Sequence, residues 1–425
     1  MTERDLSDFS AEKALTPLDS FESHITADGS PVDDGGLAAT ESATESGTVP
    51  IDENPFSSPV LDTDRPTVAP SAVIPLNDSP PCWYCGLAEA AAWWLGTLGV
   101  HLTAAIFMAI VLVVFNLLNG KKSPADINDP ASMMWITSGE MILFVLAAML
   151  GVSVRYWGRT FHELNFQRPD HRHFWLVLGG TLPLTMCVSV WAVPVQLGWS
   201  LIKEAIPVLS VFDSMNSMEA IKDLADASSL GAMVFVVAVL PAIGEELIFR
   251  GAIGRVLIAN LGMISGVLLT TFLFGCLHIH PVHAVAVMPL GLAIHLVYLW
   301  SRSFWLPMLL HFVNNCWATI AAQNQGVDPT GQGLEMPLIN LVMMLISAVG
   351  VVAMGICFRQ SRVRLFDASG NETPDVRFPV RVTSGSGIES RSMPMNGHAW
   401  QLAIACMVFC HLIVALDLIK SIGQW

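Results

Sequence analysis

The stretch LGAMVFVVAVLPAIGEELIFRGAIGRVL, residues 230–257, is apolar enough to form a membrane-spanning helix, yet it contains Glu245, Glu246 and Arg250. A carboxylate near the middle of a bilayer costs roughly 2.5 to 3.5 kcal/mol on insertion scales. Three neighbouring ionisable groups multiply that cost unless they pair and face the interior of a protein. The stretch therefore predicts a membrane span and a functional site together.

The composition of the whole chain excludes an ordinary soluble protein. Charged residues make up 13% and hydrophobic residues 53% of the 425 residues, whereas an average globular protein has about 25% charged residues. Most of the net charge of −15 belongs to residues 1–81, which hold 16 Asp and Glu against three Lys and Arg. Few large apolar residues interrupt this segment, so it predicts a disordered acidic tail.

Apolar runs long enough to cross about 30 Å of hydrocarbon, which takes ~20 helical residues, predict the architecture. Pro281 and Pro289 interrupt two of these runs, and broken helices are tolerated in a membrane where they line a cavity. The pattern predicts an all-α polytopic membrane protein with about eight or nine transmembrane helices and a mid-membrane polar cavity. The runs lie near residues 92–118, 133–154, 174–198, 230–258, 262–283, 284–300, 304–322, 336–357 and 399–419.

Arginine is unevenly distributed among the connecting loops, and this predicts the orientation. With nine spans, loop 155–173, Arg302 and loop 358–398 all fall on one side, and the positive-inside rule assigns that side to the cytoplasm. The N-terminus is then cytoplasmic as well, and we expect a multi-pass protein of the plasma (inner) membrane. Within loop 358–398, two alternating segments around Gly370-Asn371 predict a small hairpin.

Polar side chains in three spans recur at one depth. Glu245 lies 15 residues before the turn at Asn260 and His278 lies 18 residues after it, so at 1.5 Å per residue they are ~22 and ~27 Å from that turn. His311 and Asn315 lie ~13 and ~20 Å from the same side and share one helix face. We expect the four side chains to converge near mid-membrane.

The two neighbouring carboxylates need not have the same role, because consecutive helical residues point about 100° apart. Glu246 and Arg250 have the i, i+4 spacing of an ion pair, which leaves Glu245 free. Glu245 beside His278 can activate a water molecule as a general base. His311 with Asn315 supplies donors for an oxyanion. The arrangement predicts hydrolysis of an amide bond.

The same residues resemble the motifs of a known family. EELIFRG at 245–251, FGCLH at 274–278 and HFVNN at 311–315 are similar, in order and spacing, to the three motifs of the CPBP intramembrane proteases, also called the Abi family, which includes the type II CAAX prenyl endopeptidases. The resemblance implies that Glu245 and His278 activate the water and that His311 and Asn315 stabilise the oxyanion. Supporting roles fall to Glu246, Arg250 and Phe274.

The resemblance also divides the chain into four parts and implies a substrate. Family members act on prenylated C-terminal CaaX peptides or, in bacteria, take part in bacteriocin maturation and immunity. We expect a peptide or protein substrate entering from the cytoplasmic side and no nucleic acid, while the oligomeric state cannot be read from the sequence. The parts are a disordered tail (1–87), the first three transmembrane helices (88–229), the catalytic core (230–322) and the C-terminal transmembrane helices (323–425) with the cytoplasmic loop 358–398.

Three questions stay open in the sequence. No cofactor is preferred, but zinc bound by Glu245, His278 and His311 is the alternative, since catalytic zinc takes three such ligands. A non-catalytic scaffold or bacteriocin-immunity factor that binds a peptide in the same cavity is the alternative function, and a proton-coupled transporter is a third.

Several polar residues outside the three motifs have simpler interpretations. His101, Glu140 and His295 favour hydrogen bonds between helices. His280 and His283 are typical of a membrane interface, and the alternative is that they widen the polar site or bind a metal together with His278. The eight cysteines predict no disulfide framework, although the Cys82-Cys85 pair is typical of half a metal site or a redox pair.

Overall fold

The computed structural model describes residues 82–120, 129–215, 221–222, 224–225, 228–323, 338–373, 379, 381–382 and 386–422. The chain divides into Met1–Pro66, of which no residue is described, and Thr67–Trp425, which contains every element named below. The predicted acidic tail therefore lies outside the described residues, except for its last few, because the first helix already begins at Trp83.

Helices form almost all of the described part of Thr67–Trp425. In chain order the elements are α1 (Trp83–Leu118), α2 (Pro130–Arg155), α3 (Thr160–Glu163), α4 (His171–Ala205), a 3₁₀ helix (Pro207–Met215), α5 (Leu230–Leu261), α6 (Met263–Cys276), α7 (Pro281–Ala286), α8 (Met288–Ser301), α9 (Trp305–Gln323), α10 (Leu338–Gln360), β1 (Val363–Phe366), β2 (Glu389–Ser392) and α11 (Gly397–Ile422).

The predicted all-α polytopic membrane fold is confirmed. By length and composition, seven helical segments in the described residues can cross a membrane: α1, α2, α4, α5, α7 with α8, α10 and α11. The other two predicted spans coincide with α6, which is apolar but has only 14 residues, and with α9, whose 19 residues include several polar side chains. The number of crossings, eight or nine, stays a prediction.

Helix α5 is the central helix of the bundle and is not a regular α-helix. In its most apolar window 56% of the residues are buried, against 6% for α1. Two segments, Val234–Val239 and Leu247–Ile253, have the wider turns of a π-helix. They flank the short α-helical stretch Leu240–Glu246, which carries both carboxylates. Such π segments occur frequently at functional sites.

Helices α5 and α6 form the predicted hairpin near Asn260. Gly262 joins them with a φ of 82°, which glycine adopts without steric cost. Further along, a Cβ on Gly266 would lie 2.5 Å from the backbone nitrogen of Ile258, so only glycine allows this close packing. Asn260 also accepts a hydrogen bond from the backbone of Cys82, 3.0 Å away, which ties the start of α1 to the turn.

The two prolines of the predicted broken spans lie at helix starts. Pro281 is the first residue of α7 and Pro289 the second residue of α8, positions where a missing backbone N–H costs nothing. The chain between α6 and α7, residues 277–280, is thus a turn inside an apolar region. It contains His278 and Ile279, and the φ angle of Ile279 is 60°.

The structure bears on three smaller expectations from the sequence. A turn at Gly370-Asn371 is present, with a bridge between Phe366 and Glu372 and a backbone hydrogen bond from Thr373 to Leu365. Strand β1 also pairs antiparallel with β2, and most of the second segment of the predicted hairpin lies outside the described residues. Cys82 and Cys85 form a disulfide, the bond that the alternative of a redox pair implies. His295 is buried, but neither of its ring nitrogens has a hydrogen-bond partner in the part of the chain that the structure describes. It packs instead against Gly254 of α5, through ring atoms that leave no room for a larger residue there.

Candidate functional site

Glu246 is the centre of a buried chain of ionisable side chains. Arg250 donates from Nη1 to Oε1 of Glu246 over 2.8 Å, and Nδ1 of His311 lies 2.8 Å from the same oxygen. The other guanidinium nitrogen, Nη2, donates to the carbonyl oxygen of Gly291 in α8. Glu246, Arg250 and His311 are only 0%, 1% and 3% exposed. The predicted Glu246–Arg250 pair is confirmed, and His311 is a third member that the sequence did not predict.

The hydrogen bond to Glu246 determines how His311 is oriented. A carboxylate only accepts hydrogen bonds, so Nδ1 of His311 carries a hydrogen and donates it. The opposite ring nitrogen, Nε2, then points the other way and lies 4.0 Å from Oε2 of Glu245. One imidazole therefore lies between the two consecutive carboxylates of α5.

Glu245 differs from Glu246 in its surroundings, as the angle between consecutive helical residues predicts. Its side chain is 12% exposed, whereas that of Glu246 is completely buried. Glu245 lies within ion-pair distance of His311, and the expectation that Glu245 and His278 share a water molecule stays a prediction. The number of residues from a turn gives the depth of a side chain along the helix axis but not the direction in which the side chain points.

His278 is connected to the buried chain through Phe274. Its ring centroid lies 5.4 Å from that of Phe274, which lies 5.8 Å from the ring of His311. The guanidinium carbon of Arg250 lies 4.9 Å from the centroid of Phe274, in the range of a cation–π interaction. The ring of Phe274 thus packs against His278, His311 and Arg250. These contacts are what its predicted supporting role requires.

His283 is a neighbour of His278, as the alternative of a wider polar site predicts. Its ring centroid lies 4.4 Å from that of His278, because Pro281 starts α7 and brings its first turn back towards the end of α6. His280 points away, with Nε2 3.9 Å from a carboxylate oxygen of Asp213. The single proline among the three histidines of HIHPVH was the available signal for this turn.

Asn315 lies one turn after His311 and is held by α5. Its Nδ2 donates to the carbonyl oxygen of Val237 in the first π segment over 3.0 Å, and its Oδ1 accepts from Asn314 over 3.1 Å. One of its two amide hydrogens is therefore still available to a substrate. Asn314 is itself fixed by a hydrogen bond from Thr185 of α4, 2.9 Å long.

No group of three or more His, Cys, Asp or Glu side chains among the described residues is arranged to hold a metal ion, and Glu245, His278 and His311 form no such group. The preference for a metal-free reaction stays a prediction.

Comparison with known proteins identifies one family. Residues 227–317 match the family model described as Rce1-like, type II CAAX prenyl endopeptidase Rce1-like. No curated protein and no solved structure matches the chain. The matched segment contains every residue of the site considered above, namely Glu245, Glu246, Arg250, Phe274, His278, His311 and Asn315.

Proposed function

We propose that this chain, which through residues 227–317 belongs to the CPBP family of type II CAAX prenyl endopeptidases, is an intramembrane endopeptidase that hydrolyses a peptide bond. The observation that carries the proposal is the position of His311 between two carboxylates of different exposure. Glu246 is buried and paired, so it holds His311, whereas the Glu245 side chain is 12% exposed and its Oε2, which is buried, has no hydrogen-bond partner among the described residues. A partly accessible carboxylate of this kind can accept a proton from water.

In the proposed reaction Glu245 is the general base and His278 helps to hold the attacking water. The water oxygen attacks the carbonyl carbon of the substrate, its proton passes to Glu245, and the carbonyl electrons move onto the carbonyl oxygen. When the tetrahedral intermediate collapses, the bond between carbon and nitrogen breaks, and the proton on Glu245 passes to the departing amine. No covalent enzyme intermediate is formed.

His311 and Asn315 are the proposed donors to the negative oxygen of the intermediate. Asn315 offers its second amide hydrogen, and the His311 ring offers a hydrogen on Nε2 when that nitrogen carries one. Arg250 balances the charge of Glu246 in the buried part of the site. One such donor typically contributes about 2.7 to 4 kcal/mol to transition-state stabilisation.

The proposed substrate is a peptide whose scissile bond reaches the site from the arginine-rich side of the membrane. The family description favours a prenylated C-terminal peptide, and a bacteriocin-like peptide is the second class to be tested. Both have an apolar part that can stay in the bilayer while the peptide bond enters the polar site.

The proposal is tested by cleavage of a farnesylated CaaX peptide and of a hydrophobic leader peptide by the protein reconstituted in lipid vesicles. Glu245→Gln has nearly the same shape but cannot accept the proton, so we expect cleavage to fall about 10²- to 10⁴-fold. Glu140→Gln, which alters a carboxylate outside the matched segment, is the control. Cleavage by Glu245→Gln at the wild-type rate would refute the mechanism, whereas unchanged peptide binding without cleavage by any form would favour the non-catalytic alternative.

A further inference from the structure

A disulfide between Cys82 and Cys85 lies at the start of α1, away from the residues of the site. Cys85 is exposed and Cys82 is half-buried. The two residues between them, Trp83 and Tyr84, are 63% and 64% exposed, and such aromatic side chains are enriched where a span meets water. The disulfide is therefore accessible to a molecule in the aqueous phase.

The disulfide lies at the arginine-rich end of the bundle. One turn beyond Cys85, Glu89 of α1 forms an ion pair with Arg155, the first residue of the arginine-rich loop 155–173. The positive-inside rule assigns this end to the cytoplasm. Cytosolic thiols are kept reduced, and a disulfide there is usually transient and either catalytic or redox-sensing. The location therefore favours a reversible bond over a permanent cross-link.

The short loop that the disulfide closes supports the same interpretation. The bond joins residues three positions apart in the sequence, and the stabilisation from a disulfide increases with the length of the loop that it closes. The first turn of α1 is in addition closed by a hydrogen bond from the backbone N–H of Gly86 to the carbonyl oxygen of Cys82, 2.9 Å long. The cross-link thus adds little to the stability of the fold, and what distinguishes the pair is its capacity for thiol–disulfide exchange.

The cysteine pair is docked on the turn between α5 and α6. The backbone N–H of Cys82 donates to Oδ1 of Asn260 over 3.0 Å, and a Cβ on Gly86 would lie 2.6 Å from the Cβ of Asn260. Asn260 in turn donates to the carbonyl oxygen of Val256 in α5 over 2.8 Å. Cys82 precedes the helix in an extended conformation, and the disulfide is the covalent bond that holds it beside Cys85. The bond therefore affects how firmly α1 is held on the helix that carries both carboxylates.

We propose that Cys82 and Cys85 form a reversible dithiol–disulfide site for a soluble protein dithiol on the arginine-rich side, and that the oxidised form clamps the start of α1 to the α5–α6 turn. The proposal is independent of the catalytic function.

The exchange proceeds in two steps that transfer two electrons to the chain. A thiolate of the partner attacks Sγ of Cys85, the more exposed cysteine, and the sulfur–sulfur bond breaks with its electron pair on Sγ of Cys82. This thiolate lies at the N-terminal end of α1, where the helix dipole favours negative charge. The second thiolate of the partner then attacks the partner sulfur of the mixed disulfide and releases Cys85. The partner is oxidised to a disulfide, and its two thiol protons end on the two cysteines.

The first test measures the exchange on the full chain in a detergent micelle, with thioredoxin, thioredoxin reductase and NADPH as the probe. We expect the oxidised protein to consume about one NADPH per chain, as a two-electron couple requires, and Cys82→Ser with Cys85→Ser to consume none. The matched control, Cys187→Ser with Cys276→Ser, replaces two free cysteines of the spans and should still consume about one. A disulfide that is reduced only after the protein unfolds would overturn the proposal, and so would a pair that stays reduced in excess oxidised glutathione.

The second test measures the clamp. If docking on Asn260 favours the oxidised form, removal of the docking must favour the reduced form by the same factor. In glutathione buffers, with thiols trapped by alkylation and counted by mass spectrometry, Asn260→Ala should lower the equilibrium constant for oxidation at least about threefold, the effect of one hydrogen bond. Asn119→Ala, an exposed position just after the other end of α1, should not change it. An unchanged constant in a folded Asn260→Ala protein would overturn the clamp.

Hydrogen exchange of the wild-type chain tests the clamp without any substitution. The backbone amides of the first turn of α1 should exchange faster in the reduced protein than in the oxidised protein, because Cys82 is then held by hydrogen bonds alone. Equal exchange in the two forms would refute the clamp even if Asn260→Ala does not fold.

Discussion

Two hydrogen-bonded pairs of a carboxylate and an imidazole in the described part of the helix bundle differ in their exposure and in their further contacts. Glu246 and His311 are 2.8 Å apart, and Glu140 and His101 are 2.6 Å apart. The side chains of the first pair are 0% and 4% exposed, those of the second 18% and 21%. The first pair continues into Arg250 on one side and Glu245 on the other.

The outer pair has no such continuation. Nδ1 of His101 bonds Glu140, while its Nε2 has no hydrogen-bond partner among the described residues. The ring of His101 packs on Phe144, 4.2 Å between centroids. This is the helix-to-helix hydrogen bond that the sequence predicted for His101 and Glu140. A buried carboxylate and imidazole therefore do not define a site by themselves; a balancing cation and a second, accessible carboxylate distinguish the inner pair.

The largest difference between the pairs should appear when the inner carboxylate loses its charge. Glu246→Gln leaves the buried guanidinium of Arg250 without an anion, and breaking a buried pair in this way costs about 3 to 5 kcal/mol. It also replaces the charged acceptor of His311 with a neutral amide, so the orientation of the ring is weakened and peptide cleavage should fall strongly. Thermal unfolding and the cleavage assay measure the two effects, and a stable, active Glu246→Gln protein would show that the inner pair is no different from the outer one.

Removing both charges of the inner pair should separate stability from activity. The double variant Glu246→Gln with Arg250→Gln has no unpaired charge, so we expect it to be more stable than Glu246→Gln alone by about 1 to 3 kcal/mol. His311 still lacks its charged acceptor, so cleavage should not recover. Recovery of cleavage together with stability would mean that Glu246 acts only by neutralising Arg250.

A smaller effect is expected where the two pairs come into contact through packing. The ring of Phe144 packs against the ring of His101. It also packs against Gly244, the residue before Glu245, and a Cβ on Gly244 would collide with the Phe144 ring. Gly244→Ala should therefore destabilise the protein by about 1 to 3 kcal/mol and reduce cleavage. Gly231→Ala in the same helix is the control, since a Cβ there meets no atom within 4 Å. Equal behaviour of the two variants would refute this coupling.

The smallest effect is expected for the outer pair. Glu140→Gln keeps a hydrogen-bonding group beside His101, and the site is partly exposed, so we expect a loss of about 1 kcal/mol in unfolding free energy. Cleavage should stay within about twofold of wild type. A loss of cleavage comparable to that of Glu245→Gln would instead make His101 and Glu140 part of the catalytic machinery.

Much of this molecule could be predicted from its sequence because a membrane limits the choice of structure. The apolar runs form helices, the hairpin turns near Asn260, and Glu246 pairs with Arg250 at the expected spacing. The chain could not reveal that His311 contacts Glu246, because that contact depends on how α5 and α9 are rotated about their axes. The π segments of α5 alter this rotation, and hydropathy does not detect them.

Two other features depended on distant parts of the chain. The partner of β1 lies more than twenty residues away, beyond the local turn that suggested a hairpin. His283 reaches His278 because a proline starts a new helix between them, and the spacing of the two histidines alone does not indicate that geometry. Local patterns predicted elements well, whereas contacts between elements needed the fold.

The two π segments of α5 have a genetic consequence. A π turn accommodates about one residue more than an α turn, so each segment behaves like an insertion of a single residue retained within a helix. Deletion of one codon from either segment would leave the helix apolar and continuous. The wider turn would close into an ordinary α turn, so Glu245 and Glu246 would keep nearly the same direction relative to the rest of the helix. A one-codon deletion between Leu240 and Gly244, where the helix is already α-helical, would instead turn the two carboxylates by about 100° relative to the preceding helix.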